Sequence, residues 1–213
     1  MSYDDEREPL GPSARKHGLA VRAFFAIPLG GELREAALAV ARELAARPDG
    51  DGVRWLAADS YHLTLRFLGN IAAREIAALV ERAHDALAGC APFALTLGAP
   101  RAFPAARNAR VIALAAQPEA ALAELAARLE KAAVEQCAAP QAERAFRAHV
   151  TIGRVRARRI PQLAAAAPAC VQRVREVVLL RSDLARDGAH YSPLATLPLG
   201  APQPELAHSP SSH

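Results

Sequence analysis

Polar and apolar residues alternate through Tyr61–Leu68, so a β-strand there puts His62 and Thr64 on one face and Leu63, Leu65 and Phe67 on the other. The same two-residue period returns in Ala148–Arg154, where His149 and Thr151 share a face. Val21, Ala23, Phe25 and Ile27 alternate with Arg22, Phe24 and Ala26 in a first strand that Pro28 closes. Further strands are expected at Val53–Leu56, Phe93–Leu97, Arg110–Leu114, Phe146–Val155, Val174–Leu180 and Tyr191–Leu199, the last two joined by a turn at Asp187-Gly188. Helical spacing replaces this period in three places: Glu32–Ala46 on Leu33, Ala37, Val40 and Leu44; Ala73–Leu87 on Ile76, Leu79, Val80 and Ala83; and Glu119–Cys137 on Leu122, Leu125, Leu129 and Ala133. A short helix is also expected from about Pro161.

Strands and helices therefore alternate, yet the tight return at Asp187-Gly188 favours antiparallel pairing, so the class is α+β. Residues 1–18 and 200–213 mix charge, proline and glycine without periodicity and are expected to be disordered tails, which removes His17, His208 and His213 from consideration. Residues 19–199 form the single domain.

The chemistry lies in the repeated H-x-T-x. A single match is commonplace on a strand, but two copies in separate halves of the chain suggest paired use. An imidazole and a hydroxyl about 6.6 Å apart on one strand face can both touch one small anion, and a second such strand can hold it from the other side. Hydrolysis of a phosphodiester needs one group to take a proton from water and another to give one to the leaving oxygen. Two imidazoles, which titrate near neutrality, can supply both, and each transfer is worth roughly 10²–10⁴ in rate. Thr64 and Thr151 can donate to the non-bridging oxygens, and Arg154, four positions beyond Val150, can add a cation there.

The duplicated H-x-T-x, the H-L-T-L-x-F-L-G form of the first copy and the H-x-T-x-x-R form of the second resemble the 2H phosphoesterases. Within them they look most like the bacterial and archaeal RNA 2′,3′-cyclic phosphodiesterases, historically called 2′-5′ RNA ligases. Arg22-Ala23-Phe24-Phe25-Ala26-Ile27, Val53-Arg54-Trp55, Leu180-Arg181-Ser182 and Tyr191 extend the resemblance over roughly residues 20–199. The chain departs from it at Ala148, where proline is common, and at Gly153, where alanine is usual. The resemblance implies a bilobal fold of two pseudo-symmetric lobes, each an antiparallel sheet backed by helices, with one motif strand per lobe facing a shared cleft. It also implies His62 as general acid and His149 as general base, opening of an RNA 2′,3′-cyclic phosphate to a 2′-phosphate, and a slow reverse 2′-5′ joining.

Composition adds context and removes rivals. The 213 residues carry a net charge of +4, and 26 basic residues include only Lys16 and Lys131 as lysines. A basic balance suits an RNA partner, and arginine offers planar recognition of phosphate, although GC-rich coding would also favour arginine and alanine. Three separated cysteines, Cys90, Cys137 and Cys170, form no C-x-x-C pair and fit a reducing compartment. The acidic N-terminus is unlike a secretory signal, and no apolar run spans a bilayer, so a cytoplasmic monomer without membrane attachment is expected. Two-metal catalysis needs converging carboxylates, and neither motif strand carries one, so neither a metal nor another cofactor is expected. No G-x-S-x-G supports a serine nucleophile. The remaining alternatives are another 2H phosphodiesterase, acting on 2′-5′ oligonucleotides or cyclic nucleotides, and a noncatalytic module that binds RNA ends. Trp55, Tyr61 and Phe103 are read as core or rim residues, His84 as a surface residue, and Arg156, Arg158 and Arg159 as either a solvated face or an RNA contact.

Overall fold

Each alternating stretch forms a strand. The computed structural model describes residues 20–137, 139, 145–157, 160–185 and 188–200; the expected terminal tails, Asp187, Arg158 and Arg159 lie outside these, apart from Gly200. Strand β1 (Ala20–Pro28) leads into α1 (Gly31–Ala45), β2 (Val53–Trp55), β3 (His62–Ala72) and α2 (Ile76–Leu87). There follow β4 (Phe93–Phe103), β5 (Val111–Gln117), α3 (Glu119–Cys137), β6 (His149–Val155), β7 (Gln172–Val174), β8 (Glu176–Ala185) and β9 (Gly188–Pro198). The strands make one sheet in the order β7-β4-β5-β6-β3-β1-β8-β9, with β2 added against β6. Every ladder between these strands is antiparallel, as the tight returns in the sequence suggest.

Two halves meet at the middle of that order. Strands β3 and β6, which carry the two motifs, are joined by a single ladder pair, Leu63 with Val150, whereas their outer neighbours are paired over many residues. Leu63 and Val150 are fully buried in the main core, together with Leu65, Ile152, Phe25, Ile27 and Ala23. Helix faces cover that side of the sheet: Leu33, Ala37, Val40, Ala41 and Leu44 of α1, Leu79, Ala83 and Leu87 of α2, and Leu122, Leu125 and Leu129 of α3. Burying a side chain of this size is worth about 1.5–3 kcal/mol against leaving it in water, so the shared core carries most of the fold's stability. A smaller cluster of Phe24, Ala26, Val178 and Leu180, packed with Tyr191, occupies the opposite face, where His62 also lies.

Three expectations change. The helix expected from about Pro161 does not form, and residues 160–171 run irregularly past α1, where Arg47 donates to the carbonyls of Gln162 (2.7 Å) and Ala164 (3.4 Å). The alanine run there is confined between Pro161 and Pro168, too short for a helix without tertiary support. The strand expected from Val174 is divided: Gln172–Val174 pairs with β4 as an edge strand, and β8 begins at Glu176 on the other half of the sheet. Phe67 does not share a face with Leu63 and Leu65, for the reason given below.

Candidate functional site

The register that pairs Leu63 with Val150 sets the next residues across the seam: His62 faces Thr151, and Thr64 faces His149. Since Leu63 and Val150 point into the core, their neighbours point away from it, and all four motif side chains are half-buried on the cleft side. Thus His62, His149, Thr64 and Thr151 are brought together, each histidine across from the other copy's threonine.

Both imidazoles are held in the same way. His62 Nδ1 lies 2.7 Å from the carbonyl oxygen of Ser60, and His149 Nδ1 lies 2.7 Å from that of Arg147. A carbonyl only accepts, so each Nδ1 carries a proton and each Nε2 is left for the cleft. A phenyl ring backs each imidazole: Phe24 of β1 at 4.9 Å from His62, and Phe103 of β4 at 4.8 Å and nearly parallel to His149. Tyr191 of β9 meets His62 edge-on at 4.9 Å. Enclosure by these rings pushes the His62 pKa below the usual imidazole value; the Ser60 carbonyl works against this, while the charges on Arg154 and His149 add to it.

Arg154 reaches the cleft because the strand is irregular. Counting by twos from His149 and Thr151 would send Arg154 into the core with Val150 and Ile152. Instead Thr151 pairs with Ala113 and Gly153 with Ile112, so Ile152 is an extra residue in β6, a β-bulge that turns Arg154 outward. The first motif does the same. Thr64 pairs with Ala26 and Arg66 with Phe25, leaving Leu65 as the extra residue, and the alternation is thereby reversed. Arg66 goes to the buried side, where it forms an ion pair with Glu130 of α3 and donates to the Phe67 carbonyl. Phe67, expected in the core, emerges on the cleft face with 41% of its surface exposed. A second shift follows at Gly69, whose φ of +72° suits glycine.

A cleft of about 910 Å³ adjoins His62 through Ser60 and Tyr191, although neither histidine lines it. Its charged lining is Arg22, Arg54, Arg154 and Asp59, and Asp59 is already engaged by Arg34 at 3.3 Å. Arg54 and Arg154 are direct partners across β2 and β6, a like-charge pairing that costs stability in a sheet and favours an anion between or beside them.

The two departures from the motif pattern have plain packing environments. A Cβ on Gly153 would come within 2.6 Å of Val53 Cγ1 and 3.1 Å of the Trp55 ring, so the close approach of β2 requires glycine. Ala148 is buried, and its carbonyl accepts from Ala116 N–H at 3.0 Å. Of the aromatic residues set aside in the sequence, Tyr61 is core at 2% exposure, and burial pushes its pKa up to about 12. Trp55 lines the cleft, with its indole N–H donated to the Gly50 carbonyl at 2.9 Å. Phe103 belongs to the site, as do Phe24 and Tyr191, while Arg22 lines the adjoining cleft. The alternation in β1 already placed Arg22, Phe24 and Ala26 on one face; what it could not show was which strand lay alongside. His84 is exposed on α2, as expected. Among the described residues, no three His, Cys, Asp or Glu side chains are grouped as metal ligands would be, and no helix is long and apolar enough to cross a membrane.

The chain is similar to known proteins over most of its length. Residues 35–186 match the model of the 2′-5′ RNA ligase superfamily. The RNA 2′,3′-cyclic phosphodiesterase of Methanothermobacter thermautotrophicus is 28% identical over 181 residues, covering 82% of this chain and 96% of that protein. A crystal structure from Thermus thermophilus superposes with a TM-score of 0.74 at 27% identity, covering 84% of this chain and 97% of that one. LigT of E. coli complexed with 3′-AMP gives 0.70 at 30% identity, covering 85% and 99%.

Proposed function

The chain belongs to the 2′-5′ RNA ligase superfamily, and on that premise we propose that it opens 2′,3′-cyclic phosphates at RNA ends to 2′-phosphates by acid–base catalysis without a metal. His62 is the general acid and His149 the general base. The observation that carries this reading is the diagonal arrangement of the two imidazoles, each with Nδ1 occupied by a backbone carbonyl and Nε2 free to exchange a proton.

In this reading a water on the His149 side loses a proton to Nε2 as it attacks phosphorus. The bond to the 3′ oxygen breaks in line with it, and His62 Nε2–H gives that oxygen its proton. Thr64 and Thr151 donate to the non-bridging oxygens and Arg154 offsets the charge that builds on them. The low proton affinity of His62 in the protein alone has a use here. An anionic phosphate beside it offsets the Arg154 charge, so the protonated share of the acid rises when substrate is bound. A 5′-hydroxyl attacking the cyclic phosphate in place of water gives its proton to His149 as the bond to the 3′ oxygen breaks and His62 protonates that oxygen. This leaves a 2′-5′ linkage, so a slow joining activity accompanies hydrolysis. The relatives named RNA 2′,3′-cyclic phosphodiesterase support the substrate class.

The test is an oligonucleotide ending in a 2′,3′-cyclic phosphate, incubated with and without EDTA and resolved by phosphorus NMR. We expect a 2′-phosphate product, unaffected by EDTA, and at least about a 100-fold loss in both His62→Ala and His149→Ala. A 3′-phosphate product, or activity lost on chelation and restored by a divalent ion, would overturn the mechanism.

A further inference from the structure

The two motifs share histidine, threonine and an apolar residue after each, then differ: the fourth residue after the histidine is Arg66 in the first copy and Gly153 in the second, and the fifth is Phe67 and Arg154. Both are turned to the cleft face by a bulge at the same place in the motif. Arg66 of the first copy is turned to the buried side, so the cleft-facing cation that Arg154 provides in the second copy is supplied here from the neighbouring strand. Arg22 of β1 lies on the cleft face with its guanidinium 4.6 Å above the centre of the Phe67 ring, and it lines the same cleft as Arg154. Phe67 rests in turn near Phe24, 6.3 Å away and roughly parallel.

From this arrangement we propose that Arg22 binds a second phosphate, the internucleotide phosphate preceding the terminal cyclic phosphate of an RNA strand. The proposal rests on the function proposed above. A guanidinium held over a ring is braced on that side, and its N–H donors, which lie in the guanidinium plane, remain able to meet a phosphate's oxygens. Among the described residues no carboxylate forms an ion pair with Arg22, and the one carboxylate lining the cleft, Asp59, is held by Arg34. The exposed phenyl of Phe67 has a physical reason in this arrangement, since its open face is the platform for the cation. A cyclic mononucleotide has only the reacting phosphate, at the motif residues; a dinucleotide places a further anion one nucleotide away, toward the cleft that Arg22 lines. Arg22 therefore distinguishes an RNA end from a free cyclic nucleotide.

The test compares steady-state kinetics on adenosine 2′,3′-cyclic phosphate and on a diadenosine ending in a 2′,3′-cyclic phosphate, for the intact chain and for Arg22→Ala, Arg22→Lys and Phe67→Leu. Arg22 is exposed, so its substitution leaves the core untouched. We expect Arg22→Ala to raise KM for the dinucleotide about tenfold with kcat nearly unchanged, and to leave the mononucleotide unaffected. Phe67→Leu, which keeps the charge and removes the platform, should give a smaller rise of the same kind, with Arg22→Lys between. Equal losses on both substrates would place Arg22 at the reacting phosphate, and no loss on either would remove it from the site; each overturns the inference. If the intact chain cleaves neither substrate, the proposed function itself fails, an outcome separate from both.

Discussion

His62 and His149 share one hydrogen-bonding arrangement but not one environment, and that difference has a kinetic consequence. Enclosure by Phe24 and Tyr191, followed by the Arg154 and His149 charges, holds the His62 pKa below the usual 6.5. A general acid must start protonated, and its protonated fraction falls as pH rises through its pKa. The alkaline limb of kcat/KM, which reports the free enzyme, should therefore lie below pH 6.5, and the limb of kcat, which reports the complex, should lie higher. Arg154→Gln removes one of the causes that lower this pKa, so its kcat/KM limb should move up even as its activity falls. A limb that stayed in place or moved down would mean that His62 is not the acid. The motif histidines and threonines were legible in the sequence because their spacing alone puts them on one face. Phe103, Phe24 and Tyr191 were not, because their roles depend on which strands lie beside the motifs.

At the scale of the element, the informative features are the interruptions of the strand period. A strict alternation places Phe67 in the core and Arg66 in solvent, and the structure reverses both through one extra residue at Leu65. Such bulges leave no plain mark in the sequence, since they depend on how many residues the partner strand presents. The same limit applies to β7, three residues long and recognisable only by its pairing with β4. In β6 the bulge sets Gly153 against Val53 and Trp55, so the glycine is tied to this chain's own β2. Gly153→Ala should destabilise the fold by about 1–3 kcal/mol through overpacking, measured as a lower urea midpoint with unchanged slope. Adding Val53→Ala should recover part of that loss, because the nearest clash is with Val53 Cγ1 at 2.6 Å. A Gly153→Ala protein as stable as the parent would show that β2 shifts freely, and the account of Arg154's aim through a fixed bulge would weaken with it.

Over the whole molecule, the two halves of the sheet meet at one ladder pair, which taken alone describes two units free to move against each other. The path of the chain opposes that. After β1 in the half built from β3, β1, β8 and β9, helix α1 packs against β2, β6 and β7 of the other half. The chain returns for β3 and α2, leaves again for β4 and β5, and comes back as α3, which packs on α2 and β3 before β6 is made. The sequence repeat suggested two lobes, but a repeat of two motifs carries no information about which helix covers which lobe. Side-chain ties add to the exchange: Gln172 of β7 accepts from Gly30 N–H and donates to the Pro28 carbonyl, both at 3.0 Å, joining one half to the end of β1 in the other. Because each half lacks a helix or a strand until the other is built, neither has a core that closes by itself. Unfolding should accordingly be a single transition, with far-UV signal, Trp55 fluorescence near β6 and calorimetric enthalpy all giving one midpoint. Trp55 reports the half containing β6, so a fluorescence midpoint apart from the far-UV midpoint would mean that the halves unfold separately. The cleft between them would then be a hinge, and the distance between His62 and His149 would be set by bound substrate instead of by the fold.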